Sequence, residues 1–144
     1  MQTWAFPAVI EKLGDEDFLA TFPDVPEAIT GGASLAEARE NAADALEEAI
    51  LAYLADGLPI PSPREPRDGE EAVILDPVTA ARAALATAMR AKKISNVALA
   101  KMLGKSEGAI RRLTDGSSAV KIDTVLQAMN AVGARAILGV LEAG

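Results

Sequence analysis

The chain has 144 residues, 50% of them hydrophobic and 24% charged, with a net charge of −7. That length holds one ordinary domain or two small ones, and the composition is that of a globular protein. Cysteine and histidine are both absent, which excludes disulfides, thiolate metal sites, cysteine nucleophiles and the commonest general base and zinc ligand.

Carboxylates, Lys, Ser, Thr and one Tyr are a thin catalytic kit, and no glycine-rich phosphate loop is present. Neither enzymatic activity nor a cofactor or metal is expected. No apolar run reaches the roughly 18 residues of a membrane span, and no basic start leads into an apolar core. No membrane partner is expected, and a cytoplasmic location is the expectation.

The charge is split along the chain. Residues 1–69 carry 14 Asp and Glu against 4 Lys and Arg, or −10, whereas residues 70–144 carry 7 against 10, or +3. Within residues 77–135 the balance is 3 against 10, or +7. An acidic half joined to a basic half points to two partners of opposite sign.

Trp4, Phe6, Ala8 and Ile10 alternate with period two, as do Phe18, Ala20 and Phe22. The turn-forming, acidic Gly14-Asp15-Glu16-Asp17 lies between them, so the two runs predict a β-hairpin. Pro23 and Pro26 break the second strand. Ala28-Ile29-Thr30 predicts a third strand ended by Gly31-Gly32.

Ser34 and Glu37 form a capping-box pair, which would satisfy two free backbone N–H groups at a helix start. Leu35, Ala38, Ala42, Leu46, Ile50 and Leu54 then recur at spacings of three and four, the stripe of an amphipathic helix. Gly57 and Pro59 stop it. A core of three strands and one helix is marginal alone, so an oligomer or a partner is expected. Four prolines and a glycine within residues 59–69 predict an extended, semi-rigid linker. Val73-Ile74-Leu75 beyond it is a short extra strand, for this sheet or for a partner chain.

Asp15, Asp17 and Asp24 are also the residues to weigh as metal ligands of a carboxylate-dependent nuclease. A hairpin tip is a poor platform for such a site.

The run Phe22-Pro23-Asp24-Val25-Pro26, then Ile29-Thr30-Gly31, Leu35, Glu37-Ala38, Asn41-Ala42, Ala45-Leu46, and Gly57 with Pro59-Ile60-Pro61 resembles the N-terminal domain of HicB antitoxins over residues 6–63. One position departs from that pattern: the family usually carries glycine where Glu27 stands, and glycine would permit φ > 0 there. The resemblance implies a degenerate RNase H-like fold without catalysis. It also implies a partner, a small basic RNA-cleaving toxin of the HicA type. Charge complementarity agrees with this, and Asp15, Asp17, Asp24 and Glu27 are the expected toxin-binding residues.

In the second half, residues 78–92 predict an alanine-rich helix with Leu85 and Met89 inward. Ser95 or Asn96 caps a short helix through Leu103, and Gly104-Lys105-Ser106 is a tight turn. Ser106 caps a further helix from Glu107 to Thr114, and residues 122–132 predict a fourth. Ala100 is small where two helices cross, Gly104 supplies φ > 0 at the turn, and Ile110 locks the crossing. Those three positions resemble the helix-turn-helix of the Cro/repressor-like (Xre) family, over residues 79–133.

The resemblance implies binding to double-stranded DNA with the helix from Ser106 in the major groove. Ser106 and Glu107 are then placed at base edges or phosphates. Arg111 and Arg112 would contact a guanine and a phosphate, and Lys101, Lys105 and Lys121 would contact phosphates. Lys105 replaces a usually apolar residue, and Gly108 inside the helix costs about 1 kcal/mol.

Residues 133–141 are apolar and β-compatible. They predict a strand that pairs with the same segment of a second chain, and a homodimer or higher oligomer would suit a palindromic operator.

The expected fold class is therefore α+β: a three- or four-stranded antiparallel sheet with one helix, followed by an all-α helix-turn-helix unit with a dimerising C-terminal strand. The expected domains are residues 1–58, a linker at 59–75, and 76–144. The function expected is an antitoxin that masks its toxin and represses its own promoter. A transcriptional regulator whose N-terminal domain senses a ligand or only oligomerises is the alternative.

Overall fold

The computed structural model describes residues 1–142, so the last two residues of the expected 76–144 unit lie outside it. The fold is α+β, a four-stranded antiparallel sheet with five helices. The strands are β1 (Ala5–Gly14), β2 (Asp17–Thr21), β3 (Ile29–Gly32) and β4 (Glu71–Ile74), in the order β3-β2-β1-β4. The helices are α1 (Leu35–Ala55), α2 (Pro77–Lys92), α3 (Asn96–Leu103), α4 (Glu107–Thr114) and α5 (Ile122–Ala131).

The period-two runs do form a hairpin, with Gly14 opposite Asp17 across the turn. Phe6, Ala8, Ala20 and Phe22 are buried, and α1 closes over them with Ala38, Ala42, Leu46, Ile50 and Leu54. Leu35, at the very start of α1, stays partly exposed. Of the capping-box pair only one bond forms: the Glu37 N–H donates to Ser34 Oγ at 3.1 Å.

One local expectation needs correction. Gly31 and Gly32 do not end the third strand but belong to it. Both lack a side chain because other backbone crowds them. A Cβ on Gly31 would lie 2.3 Å from Phe18 O, and one on Gly32 would lie 2.7 Å from Ala38 N. Asn41 Nδ2 donates to Gly31 O at 2.8 Å, which ties α1 to this edge. Glu27, in turn, sits in an ordinary negative-φ conformation, so the turn there does not demand glycine.

The extra strand pairs within the chain. β4 lies antiparallel to β1, with Ala5 opposite Ile74 and Ala8 opposite Glu71. Val73 and Leu75 enter the first core, and Arg39 on α1 grips Glu71 through two hydrogen bonds of 2.9 and 3.0 Å. The proline-rich stretch before β4 has no helix or strand between residues 58 and 67. It is nevertheless anchored: Arg64 Nε lies 2.7 Å from Asp24 Oδ2, and Arg64 Nη1 lies 2.8 Å from Glu70 Oε1.

Helix α2 is shared by two cores. Ala83 is buried in the sheet–α1 core, with Ala80 and Ala86 packed beside it. Ala81, Leu85 and Met89 belong to a second core with Leu99, Ala100, Ile110, Leu113, Val125, Ala128, Met129 and Val132. Small side chains on α2 let both neighbours approach closely, which explains its alanine content. Thr79 Oγ1 donates to Glu47 Oε1 at 2.9 Å and Arg90 Nη2 to Gly57 O at 2.6 Å, reinforcing the junction with α1.

Residues 134–142 carry neither helix nor strand in the single chain. Ile137, Leu138, Val140 and Leu141 are each more than three-quarters exposed. Among the described residues, no helix is long and apolar enough to cross a membrane.

Candidate toxin and nucleic-acid surfaces

The four acidic candidates separate into two places. Asp15 and Asp17 flank the β1–β2 turn and are exposed. Asp24 and Glu27 follow the opposite end of β2, roughly 17 Å away at about 3.3 Å per strand residue. Asp24 is engaged by Arg64. Glu27 accepts a hydrogen bond of 2.9 Å from Tyr53 Oη. Burial, then that bond, pushes the Tyr53 hydroxyl above its ordinary value. Among the described residues no three carboxylates come together in a way that could hold a metal ion. The geometry that a nuclease reading needs from Asp15, Asp17 and Asp24 is therefore lacking.

The rest of the acidic surface runs along α1. Glu40, Asp44 and Glu48 recur every four residues on its exposed and half-exposed side. Like charges at that spacing weaken a helix by a few tenths of a kcal/mol per pair, so they contribute nothing to folding.

The basic candidates gather around α3 and α4. Gly104 ends α3 in the left-handed region at φ +65, and Ser106 Oγ accepts from Ala109 N–H at 3.1 Å to start α4. Ile110 and Ala100 are buried where the two helices cross. Arg111, Arg112, Lys101, Lys105 and Lys121 are all exposed. Arg111 pairs with Glu107 one turn back at 2.9 Å, whereas Arg112 makes no ion pair among the described residues.

Gly108 lies beneath two arginine side chains. A Cβ there would lie 3.7 Å from Arg111 Nη2 and 3.8 Å from Arg112 Nη1. Helical side chains lean toward the N-terminus and meet at i+3 and i+4. Both guanidinium groups thus fold over Gly108 and bring positive charge to the leading end of α4.

Sequence reasoning missed Arg82. It is 5% exposed, on the inward face of α2. Its Nε donates to Leu113 O at 3.0 Å, and its Nη2 donates to Arg112 O at 2.7 Å and to Ser118 O at 2.6 Å. Burial lowers its affinity for the proton, partly offset by Asp115. Asp115 is itself disfavoured as an anion by burial. Hydrogen bonds from Ser117 and the charge of Arg82 outweigh that and keep its carboxyl below the ordinary range. The signal for Arg82 was present: it precedes Leu85 and Met89 by three and seven residues, so it lies on their stripe.

Comparison with known sequences identifies the family. A family profile described as "HicB_like antitoxin of bacterial toxin-antitoxin system" matches residues 5–84. That span passes through the proline-rich stretch and β4 and ends inside α2. The chain is 40% identical over 112 residues to antitoxin HicB 2 of Photorhabdus laumondii, covering 78% of this chain and 79% of that protein. It is 35% identical over 130 residues to antitoxin HicB of Escherichia coli K12, covering 89% and 93%. Antitoxin HicB of Pseudomonas fluorescens Pf0-1 matches at 32% over 118 residues, 81% of each chain. The chain therefore belongs to the HicB-like antitoxin family.

Proposed function

We propose that this chain is the antitoxin of a HicAB-like toxin–antitoxin pair, with two binding activities and no catalysis. The acidic half masks a small basic mRNA-cleaving toxin of the HicA type. The basic half is a helix-turn-helix that binds a palindromic operator and represses the promoter. In this reading residues 1–58 carry the toxin-facing surface, 59–75 the connection, and 76–144 the DNA-binding and dimerisation unit.

The observation that carries the reading is the opposite charge of the two halves within a HicB-like chain. Asp15 and Asp17 offer free carboxylates to a toxin, while Asp24 and Glu27 are held by Arg64 and Tyr53. The acidic side of α1 extends the same potential. On the other half, Arg111 and Arg112 over Gly108, with Lys101, Lys105 and Lys121, suit a phosphate backbone, and Ser106 orients the first turn of α4. The exposed apolar residues 137–141 support pairing with a second copy, because such a patch on a single chain is a liability.

Growth rescue and promoter binding test the reading together. Toxin from the adjacent small gene should stop growth, and the full chain should restore it. Replacing Arg111 and Arg112 by Ala should abolish operator binding yet spare rescue. The salt dependence of any residual binding should fall by about one unit for each phosphate no longer engaged. Unchanged operator affinity in the double variant would place DNA recognition elsewhere.

The alternative, a regulator that senses a ligand, has one feature in its favour. An open groove of about 490 Å³ lies at the junction of the halves, lined by Leu54, Ile60, Met89 and Ile94. Thr87, also on its wall, has a buried hydroxyl without a hydrogen-bond partner. Growth that the neighbouring gene never impairs would favour this alternative.

A further inference from the structure

Helix α4 has eight residues and spans about 12 Å, so a small tilt at one end displaces the other. Its leading end is held by the Ser106 cap, the turn at Gly104 and the packing of Ile110 against α3. Its trailing end carries carbonyls that cannot find partners inside the helix. Arg111 O is taken by Asp115 N–H and Thr114 Oγ1. Arg112 O and Leu113 O are taken by Arg82, which also holds Ser118 O in the loop beyond.

Arg82 has no carboxylate within salt-bridge distance among the described residues. A buried guanidinium compensated chiefly by carbonyl oxygens is costly to place, and hydrophobic packing alone would fill the same space more cheaply. What the carbonyls gain is direction. The planar fork sets Leu113 O, Arg112 O and Ser118 O relative to one another and to α2. The negative end of the α4 dipole meets a fixed cation. The base of Arg82 is in turn immobile, because α2 is packed on both sides.

Resting on the DNA-binding reading above, we propose that Arg82 is a positioning residue for the recognition helix. It sets the angle at which α4 meets DNA, and thereby sequence discrimination, without touching DNA itself. A residue in that role governs how well base edges are met, whereas exposed Lys and Arg govern how many phosphates are met.

The test uses the full chain and its Arg82→Met, Arg82→Gln and Arg82→Lys variants. Each is titrated with a duplex of its own upstream promoter and with an unrelated duplex of equal length, at several salt concentrations. Circular dichroism and thermal melting accompany each titration. Arg82→Met is expected to lose tenfold or more of its preference for the promoter duplex, with binding to unrelated DNA and the salt slope unchanged. Arg82→Lys, which keeps a charge and several donors, should recover part of that preference, and Arg82→Gln less.

A folded Arg82→Met protein with wild-type preference overturns the inference. So does an equal loss on both duplexes, or a reduced salt slope, since either means that Arg82 meets a phosphate or that the fold is generally weakened. If Arg82→Met does not fold, the other two variants decide. A graded loss of preference at constant salt slope supports the role, and full preference in both refutes it. Wild-type protein that shows no preference for its own promoter sinks the DNA-binding reading, and this inference with it.

Discussion

The two halves use their minority and majority charges in opposite ways. In the acidic half two of the few cations are spent on carboxylates: Arg39 holds Glu71, and Arg64 holds Asp24 and Glu70. The surplus carboxylates are left facing water. In the basic half several cations are spent on backbone carbonyls instead. Arg82 holds the end of α4, Arg90 holds Gly57 O, and Lys92 holds Val132 O at the end of α5. Helix C-termini supply partial negative charge without a carboxylate. These contacts hold the fold together while each half still presents an excess of one sign.

That contrast would break most visibly if the halves were separated at the proline-rich stretch. A fragment of residues 1–69 lacks β4 and α2, hence Val73, Leu75 and Ala83 of the first core. It should show no cooperative thermal transition by circular dichroism, whereas residues 1–92 should melt cooperatively. A sharp transition in the shorter fragment would mean that α2 is merely an attachment.

Next in size is Gly31→Ala. With Phe18 O only 2.3 Å from the new methyl position, the β2–β3 pairing has to open. A loss near or above about 3 kcal/mol, the upper end for overpacking, is expected in urea unfolding.

Acid should erase the ion-pair side of the comparison and leave the carbonyl side intact. The Glu70 carboxyl is held down from 4.5 to about 2. The hydrogen bond from Arg64 is the main cause, the Arg67 N–H the next, and burial acts against both. A depressed carboxyl contributes stability that is fully present above its unfolded value and lost as the pH falls through its folded one. Arg64→Met should thus melt below wild type at neutral pH. The gap should close between pH 4.5 and 2, and a gap that persists to the lower limit would assign the effect to packing of the Arg64 stem.

The smallest expected effect is Ser106→Ala, about 1 kcal/mol from removal of the α4 cap, read from the same urea titration.

Much of the fold was legible because its signals are local. Ser34, Ser95 and Ser106 cap the helices they precede, and the Ala100, Gly104 and Ile110 spacing marks the crossing of α3 and α4. The illegible parts depend on neighbours distant in sequence. Gly31 and Gly32 looked like a strand ending, since nothing nearby in sequence shows that Phe18 and Ala38 crowd them. Arg82 carries no motif of its own on an alanine-rich helix, although its stripe with Leu85 and Met89 was there to read. The separation of Asp15 and Asp17 from Asp24 and Glu27 follows simply from the length of β2. Gly108, which reads as a cost in the sequence, lies beneath the guanidinium groups of Arg111 and Arg112.

Helix α2 also constrains how this chain can change by insertion and deletion. An α-helix turns about 100° with each added residue. One codon gained between Ala83 and Leu85 would rotate everything after it by that angle against everything before it. Either Ala80, Ala83 and Ala86 would keep their seat on α1, or Leu85 and Met89 would keep theirs on α3 and α5, but not both. The proline-rich stretch tolerates such changes in length far better, yet it is not where the halves part. A recombination that grafts a new C-terminal half onto this acidic half has to carry α2 across whole and in phase.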